Sequence, residues 1–167
     1  FNASYLQLEM YRPFTKKWMM YDRNIVERPG QYYSKWGTKN EAIYTTGKGI
    51  NRPFSALAIN EKPNYQLSMN GQGFMRYNNE LNSEELIQSD SNNITDSFAK
   101  KIGLSKNDVF AYVYGLLNSK EYQKKYANDL YKDLARIPIV KNVKQYVTIG
   151  KQLIDLHLNY EQFPIYN

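Results

Sequence analysis

Asn70, Gln72 and Arg76 stand around a Gly71-Gln72-Gly73 turn, with Asn78 and Asn79 just behind them. Amide and guanidinium groups read base edges by paired hydrogen bonds, and glycine lets a backbone come close to a ligand. An ordinary exposed loop has the same polar composition. Lysine and arginine hold phosphates, and nine of them fall between positions 12 and 52: Arg12, Lys16, Lys17, Arg23, Arg28, Lys35, Lys39, Lys48 and Arg52. Only Asp22, Glu27 and Glu41 oppose them in that stretch. A local excess of this kind attracts polyanions by releasing counterions from a phosphate backbone. Residues 1–83 hold 11 basic and 6 acidic residues, whereas residues 84–167 hold 11 and 10, so the total of +6 sits mostly in the first half. Aromatic rings alternate with these bases, as in Tyr11-Arg12, Lys17-Trp18, Lys35-Trp36 and Arg76-Tyr77. Many of the 16 tyrosines must also fill the core of so small a chain.

Catalytic chemistry finds little footing. Cysteine is absent, which removes disulfides, thiolate metal sites and cysteine nucleophiles and fits a reducing cytoplasm. His157 is the only histidine, so a histidine metal pair is excluded, and its place on a helical pattern points to a structural role. Gly47-Lys48-Gly49 lacks the spacing of a phosphate loop, and Gly71-Gln72-Gly73 is equally short. Asp129 and Asp133 lie four apart among Lys124, Lys125 and Lys132, the pattern of a solvated charged face. No apolar run approaches the ~20 residues of a membrane helix. The chain opens at Phe1 without a signal peptide, as a segment of a longer protein would. No metal or cofactor is expected on it.

The elements that position these residues change character along the chain. Alternation in Tyr5–Tyr11 predicts a half-buried strand, and further strands are expected at 18–21, 41–46, 54–60, 65–69 and 74–77. Turn chemistry separates them: Arg28-Pro29-Gly30, Gly47-Lys48-Gly49, Asn51-Arg52-Pro53, Lys62-Pro63-Asn64 and Asn70–Gly73. Residues 78–93 are polar and read as a surface connection. Helical periodicity follows. Ser105-Lys-Asn-Asp108 resembles a capping box ahead of a helix over 106–117 with Val109, Tyr112, Val113, Leu116 and Leu117 on one face. Ser119 caps a second helix in which Tyr122, Tyr126, Leu130 and Leu134 recur, and a third spans 142–158. The expected class is α+β: a mainly antiparallel sheet or small barrel, then about three helices. The 167 residues suit one domain, with a strand-rich lobe at 1–80, a connection at 81–104 and a helical lobe at 105–167.

Read together, several motifs are specific. Tyr11-Arg-Pro-Phe14, followed by Lys16-Lys-Trp18 and Tyr21, resembles a stretch beyond the methyltransferase core of type ISP restriction-modification enzymes and related adenine methyltransferases. Asp108-Val-Phe-Ala-Tyr-Val-Tyr-Gly-Leu-Leu-Asn-Ser119, Glu121-Tyr-Gln-Lys-Lys-Tyr-Ala127, Ala135-Arg-Ile-Pro138 and Gly150-Lys-Gln-Leu-Ile-Asp-Leu-His-Leu-Asn-Tyr-Glu161 resemble later motifs of that family in the same order. Ala135 departs from them, since the family has Pro there. The resemblance runs from Tyr11 to Glu161.

It implies a specificity domain that reads a short asymmetric sequence in double-stranded DNA and presents it to an upstream methyltransferase. Nuclease and helicase-like ATPase domains of the same polypeptide would carry translocation and cleavage, with S-adenosylmethionine, ATP and Mg as the parent enzyme's cofactors. A cytoplasmic location and no membrane partner go with this. The competing reading is a docking module whose tyrosine-rich helices pack on the methyltransferase with little DNA contact. A fragment lending residues to a shared active site is a third.

Overall fold

The computed structural model describes residues 2–22, 24–27, 32, 35–37, 39–68, 70–78 and 91–164. The chain is α+β, strands first and helices after, with no closed barrel among the described residues. Strand β1 (Leu6–Arg12) pairs antiparallel with β2 (Thr15–Met20). Pro13 and Phe14 make the turn between them. Proline presets the first turn position, while Phe14 takes the left-handed region at φ 57°, unusual for a bulky residue. The short β5 (Lys62–Pro63) joins the other edge of β1 in parallel. A second sheet has the order β4-β3-β6, from β3 (Ala42–Thr45), β4 (Ala56–Ile59) and β6 (Gln72–Met75), all antiparallel. β7 (Tyr77–Asn78) and β8 (Ser91–Asn92) form a two-residue ladder.

Residues 65–68 are a turn, not the strand that their alternation predicts. The Asn64 side chain accepts from the Gln66 amide (3.1 Å) and its carbonyl from the Leu67 amide (3.0 Å), which closes the backbone on itself. Leu67 still drops into the core, and this is the apolar signal that imitated a strand.

β3 is buried on both faces, which explains its unbroken run of burial. Ile43 faces the helices together with Ala56 and Ala58, while Ala42 and Tyr44 face a second cluster with Met10, Trp36, Ile59 and Leu67. The helices are α1 (Asp96–Ile102), α2 (Lys106–Leu117), α3 (Lys120–Lys125), α4 (Ala127–Lys132) and α5 (Val143–Leu158). α1 lies where a plain connection was expected; Thr95 caps it and Gly103 ends it at φ 72°. The capping box of α2 forms as read, with Ser105 Oγ accepting from the Asp108 amide and donating to its carboxylate (2.8 Å).

α2 is buried nearly all round, not on one face alone, because β4, α5 and residues 134–140 enclose it. Its Tyr112 hydroxyl donates to the Pro138 carbonyl and accepts from the Val140 amide (3.2 Å), and Tyr122 donates to the Arg136 carbonyl (2.7 Å). Two buried tyrosines thus strap the Ala135–Pro138 segment onto the helices. The second expected helix is broken at Tyr126 and stops at Lys132, since Asp133 is extended. Residues 79–90, which include the first part of the expected connection, lie outside the described residues.

Candidate nucleic-acid interface

An open cleft of about 1440 Å³ lies between the two sheets. Its floor is largely apolar, with Tyr44, Leu57 and Leu67, and burial pushes the Tyr44 hydroxyl up to about 12, while the buried Glu9 also lines it. Its rim carries Arg12, Arg52, Gln66, Asn70 and Gln72. The cleft is larger than the ~300–1,000 Å³ of small-ligand pockets and open to solvent, a size suited to part of a polymer.

The expected turn over Asn70–Gly73 is confined to Asn70 and Gly71, because Gln72 and Gly73 already pair with Thr45 and Tyr44 as the start of β6. A Cβ on Gly71 would strike the Tyr44 ring and the Thr45 carbonyl, so only glycine allows the chain to lie flat on β3. Asn70 sits in the left-handed region at φ 45°, which Asn tolerates better than most residues. Beyond the turn, the Tyr32 hydroxyl accepts from the Gly73 amide (2.8 Å) and donates to its carbonyl (3.1 Å). The backbone is fixed, yet among the described residues no hydrogen bond or ion pair occupies the side chains of Arg52, Gln66, Asn70 or Gln72. They face solvent from a rigid support.

Arg12 donates to the Gln66 carbonyl (3.2 Å) and lies over the Tyr11 ring at 4.2 Å. Lys17 lies over the same ring at 3.9 Å, and its register opposite Glu9 puts it on the sheet face that brings Glu9 and Met19 to the cleft. The interleaved aromatics therefore serve as shelves for cations whose charged ends stay in water.

The remaining predicted residues are placed differently. Lys16 pairs with Glu161 (3.1 Å) and Lys48 with Asp133 (3.7 Å). Arg76 is paired with Glu41 and Asn107 and packs over Phe110 at 5.1 Å, and it does not line the cleft. Lys35 is half-buried and Lys39 exposed, neither on the cleft. Arg23, Arg28 and Asn79 lie outside the described residues.

Sequence reasoning passed over Asn64, Tyr65 and Gln66, which line the cleft; Tyr65 is 90% exposed. Pro-Asn followed by an aromatic and an amide was the available signal, hidden because the stretch also alternates like a strand. Behind them a buried network joins Glu9 to Tyr21 (3.1 Å) and Asn64 (2.9 Å), with Lys62 donating to Gln7. Burial lowers the Lys62 pKa and raises that of Tyr21.

The β1–β2 turn and the end of α5 meet at the wall of the cleft. Phe14 packs edge-on against His157 and Tyr160, each at 5.3 Å. His157 Nδ1 shares a hydrogen bond with the Tyr114 hydroxyl, which also accepts from the Ala58 amide of β4 (2.9 Å). Burial lowers the His157 pKa, so the imidazole is neutral at neutral pH. Among the described residues, no group of three or more His, Cys, Asp or Glu is placed to hold a metal, and no helix is long and apolar enough to cross a membrane.

An α+β chain with a cation-rimmed cleft and unengaged amides on a rigid turn and strand start is a recognition module. The profile of the type ISP C-terminal specificity domain matches residues 1–167, and the chain belongs to that family. The DrdV–DNA complex seen by cryo-electron microscopy matches all of this chain with a TM-score of 0.90 and 27% identity, over 17% of its own length. A nuclease-deletion mutant of the type ISP restriction-modification enzyme LlaGI, in complex with a DNA substrate mimic, matches all of it at 0.84 and 36%, over 15% of that chain. The ATP-dependent type ISP restriction-modification enzyme LlaBIII bound to DNA matches all of it at 0.88 and 34%, over 12% of that chain. The chain thus spans well under a fifth of the length of these proteins. No curated protein sequence matches it.

Proposed function

We propose that this specificity domain reads double-stranded DNA through the cleft between its sheets, with Arg12, Lys17 and Arg52 on phosphates and Asn70 and Gln72 at base edges. The observation that carries the reading is the unengaged amides of Asn70, on a fixed turn, and of Gln72, at the start of β6, set beside exposed cations. Rigid backbone support is what base discrimination requires, because a loosely held amide pairs with several bases equally well. DNA-bound structural relatives of 34% and 36% identity support it. A module that only docked on a neighbouring domain would have no need of unengaged readers beside a cationic rim.

In this reading the parent protein is a DNA adenine methyltransferase with restriction nuclease and ATPase activity, acting in the cytoplasm. S-adenosylmethionine, ATP and Mg belong to its upstream methyltransferase and helicase-like domains, and this chain contributes recognition without a catalytic step. The test is a competition assay against every single-base variant of the parent's site at fixed salt. Gln72→Ala should cost ~1–3 kcal/mol at one base position and leave non-specific affinity nearly intact. Unchanged discrimination in both Gln72→Ala and Asn70→Ala would remove the turn from the recognition surface.

A further inference from the structure

A second groove, of about 410 Å³, runs between the Thr46–Phe54 loop and the short helices α3 and α4. Its apolar lining comes from Phe54, Leu130 and the exposed Tyr131. Its rim is basic, from Arg52, Lys120 and Lys124, and no carboxylate lines it. Lys120 and Lys124 are four apart on α3 and so share a face. Among the described residues, neither they nor Arg52 is engaged in an ion pair. Glu121, Asp129 and Asp133 belong to the same region but do not line the groove, and Asp133 is already met by Lys48 and Arg136. The groove is not isolated. Thr46, Ile50, Arg52 and Pro53 line both it and the large cleft, so Arg52 stands at the junction of one continuous channel.

We infer that Lys120 and Lys124 continue the phosphate track of the cleft onto the helical half, so that bound duplex DNA passes over Arg52 and lays its backbone along α3. The inference rests on the cleft reading, since it is the shared wall at Arg52 that selects a duplex as occupant over another anion. It extends the DNA-facing surface beyond the first half, where the charge split of +5 in residues 1–83 against +1 in residues 84–167 had concentrated the cations. That average hides a groove whose lining is entirely uncharged or basic.

The test measures affinity of the protein for a mixed-sequence duplex of about 30 base pairs across a range of salt. Each lost phosphate contact flattens the slope of log affinity against log salt by ~0.9. Lys120→Gln/Lys124→Gln should flatten it by between ~1 and 2, weakening cognate and non-cognate duplexes equally. Lys100→Gln/Lys101→Gln, which removes as much charge from α1 outside both grooves, should leave it unchanged. Arg12→Gln reports on the cleft alone. A flattened slope in Arg12→Gln with an unchanged slope in Lys120→Gln/Lys124→Gln overturns the groove and leaves the cleft reading standing. An equal effect of the α1 pair overturns it as a matter of overall charge. No change in either Arg12→Gln or the α3 pair overturns both.

Discussion

The Tyr114 hydroxyl joins three parts of the chain, because it meets the Ala58 amide of an edge strand, the His157 ring of α5 and, from its own helix, the core. Tyr114→Phe leaves a buried N–H and a ring nitrogen without their partner, an expected cost of ~1–3 kcal/mol. Denaturant unfolding checks this: the midpoint should fall at unchanged slope, and an unmoved midpoint would show the hydroxyl to be idle. His157 adds a pH dependence. Its folded pKa is held below the ordinary 6.5 by burial, so the unfolded chain binds its proton more readily. Stability is full above 6.5 and declines as pH falls from there toward the folded pKa. Glu61 acts with the opposite sign, since desolvation raises its pKa above 4.5 and protonation then favours the fold. The difference between wild-type and His157→Asn melting temperatures, followed from about pH 7 to 5, isolates the histidine. The wild type should lose more stability than the variant on acidification, and parallel curves would count against a neutral buried ring.

Among the elements, α2 and α5 approach so closely that two motif glycines form their contact. A Cβ on Gly150 would run into the Ala111 carbonyl, and one on Gly115 would meet the Tyr146 carbonyl and the Gly150 backbone. Gly150→Ala therefore forces the helices apart, at ~1–3 kcal/mol and a drop of roughly 2 to 12 °C in Tm. Gly103 is the contrast, for it has open space around it and only its positive φ resists a side chain. Gly103→Ala should cost ~1 kcal/mol, the penalty of that backbone conformation alone. Calorimetry on the pair separates crowding from backbone strain, and equal losses would refute the close helix contact. Neither glycine is exceptional in the sequence. Their meaning appears only when the two helices are laid against each other.

For the molecule as a whole, hydrogen exchange with and without cognate duplex locates the DNA-facing side. Protection is expected in 44–53 and 64–75 and, if the channel continues along α3, in 120–125. The solvent side of α5 should be indifferent. Protection confined to 142–158 would place the DNA on the wrong face and defeat both readings.

The order of strands before helices, the caps at Ser105 and Ser119 and the family motifs were legible because each depends on residues a few positions apart. Base and aromatic neighbours such as Tyr11 and Arg12 were legible for the same reason. What one dimension cannot encode is which cations are already paired. Arg76 and Gln72 are four apart and looked alike as readers, but Glu41, 35 residues earlier, takes the arginine, while the amide reaches solvent. The half-buried, neutral histidine was readable as structural, yet its seat between Phe14 and Tyr114 at the cleft required distant parts of the chain to meet. Local propensity and periodicity follow from neighbouring residues. Charge pairing, close helix contact and the cleft itself follow from distances that only the folded chain brings below a few ångströms.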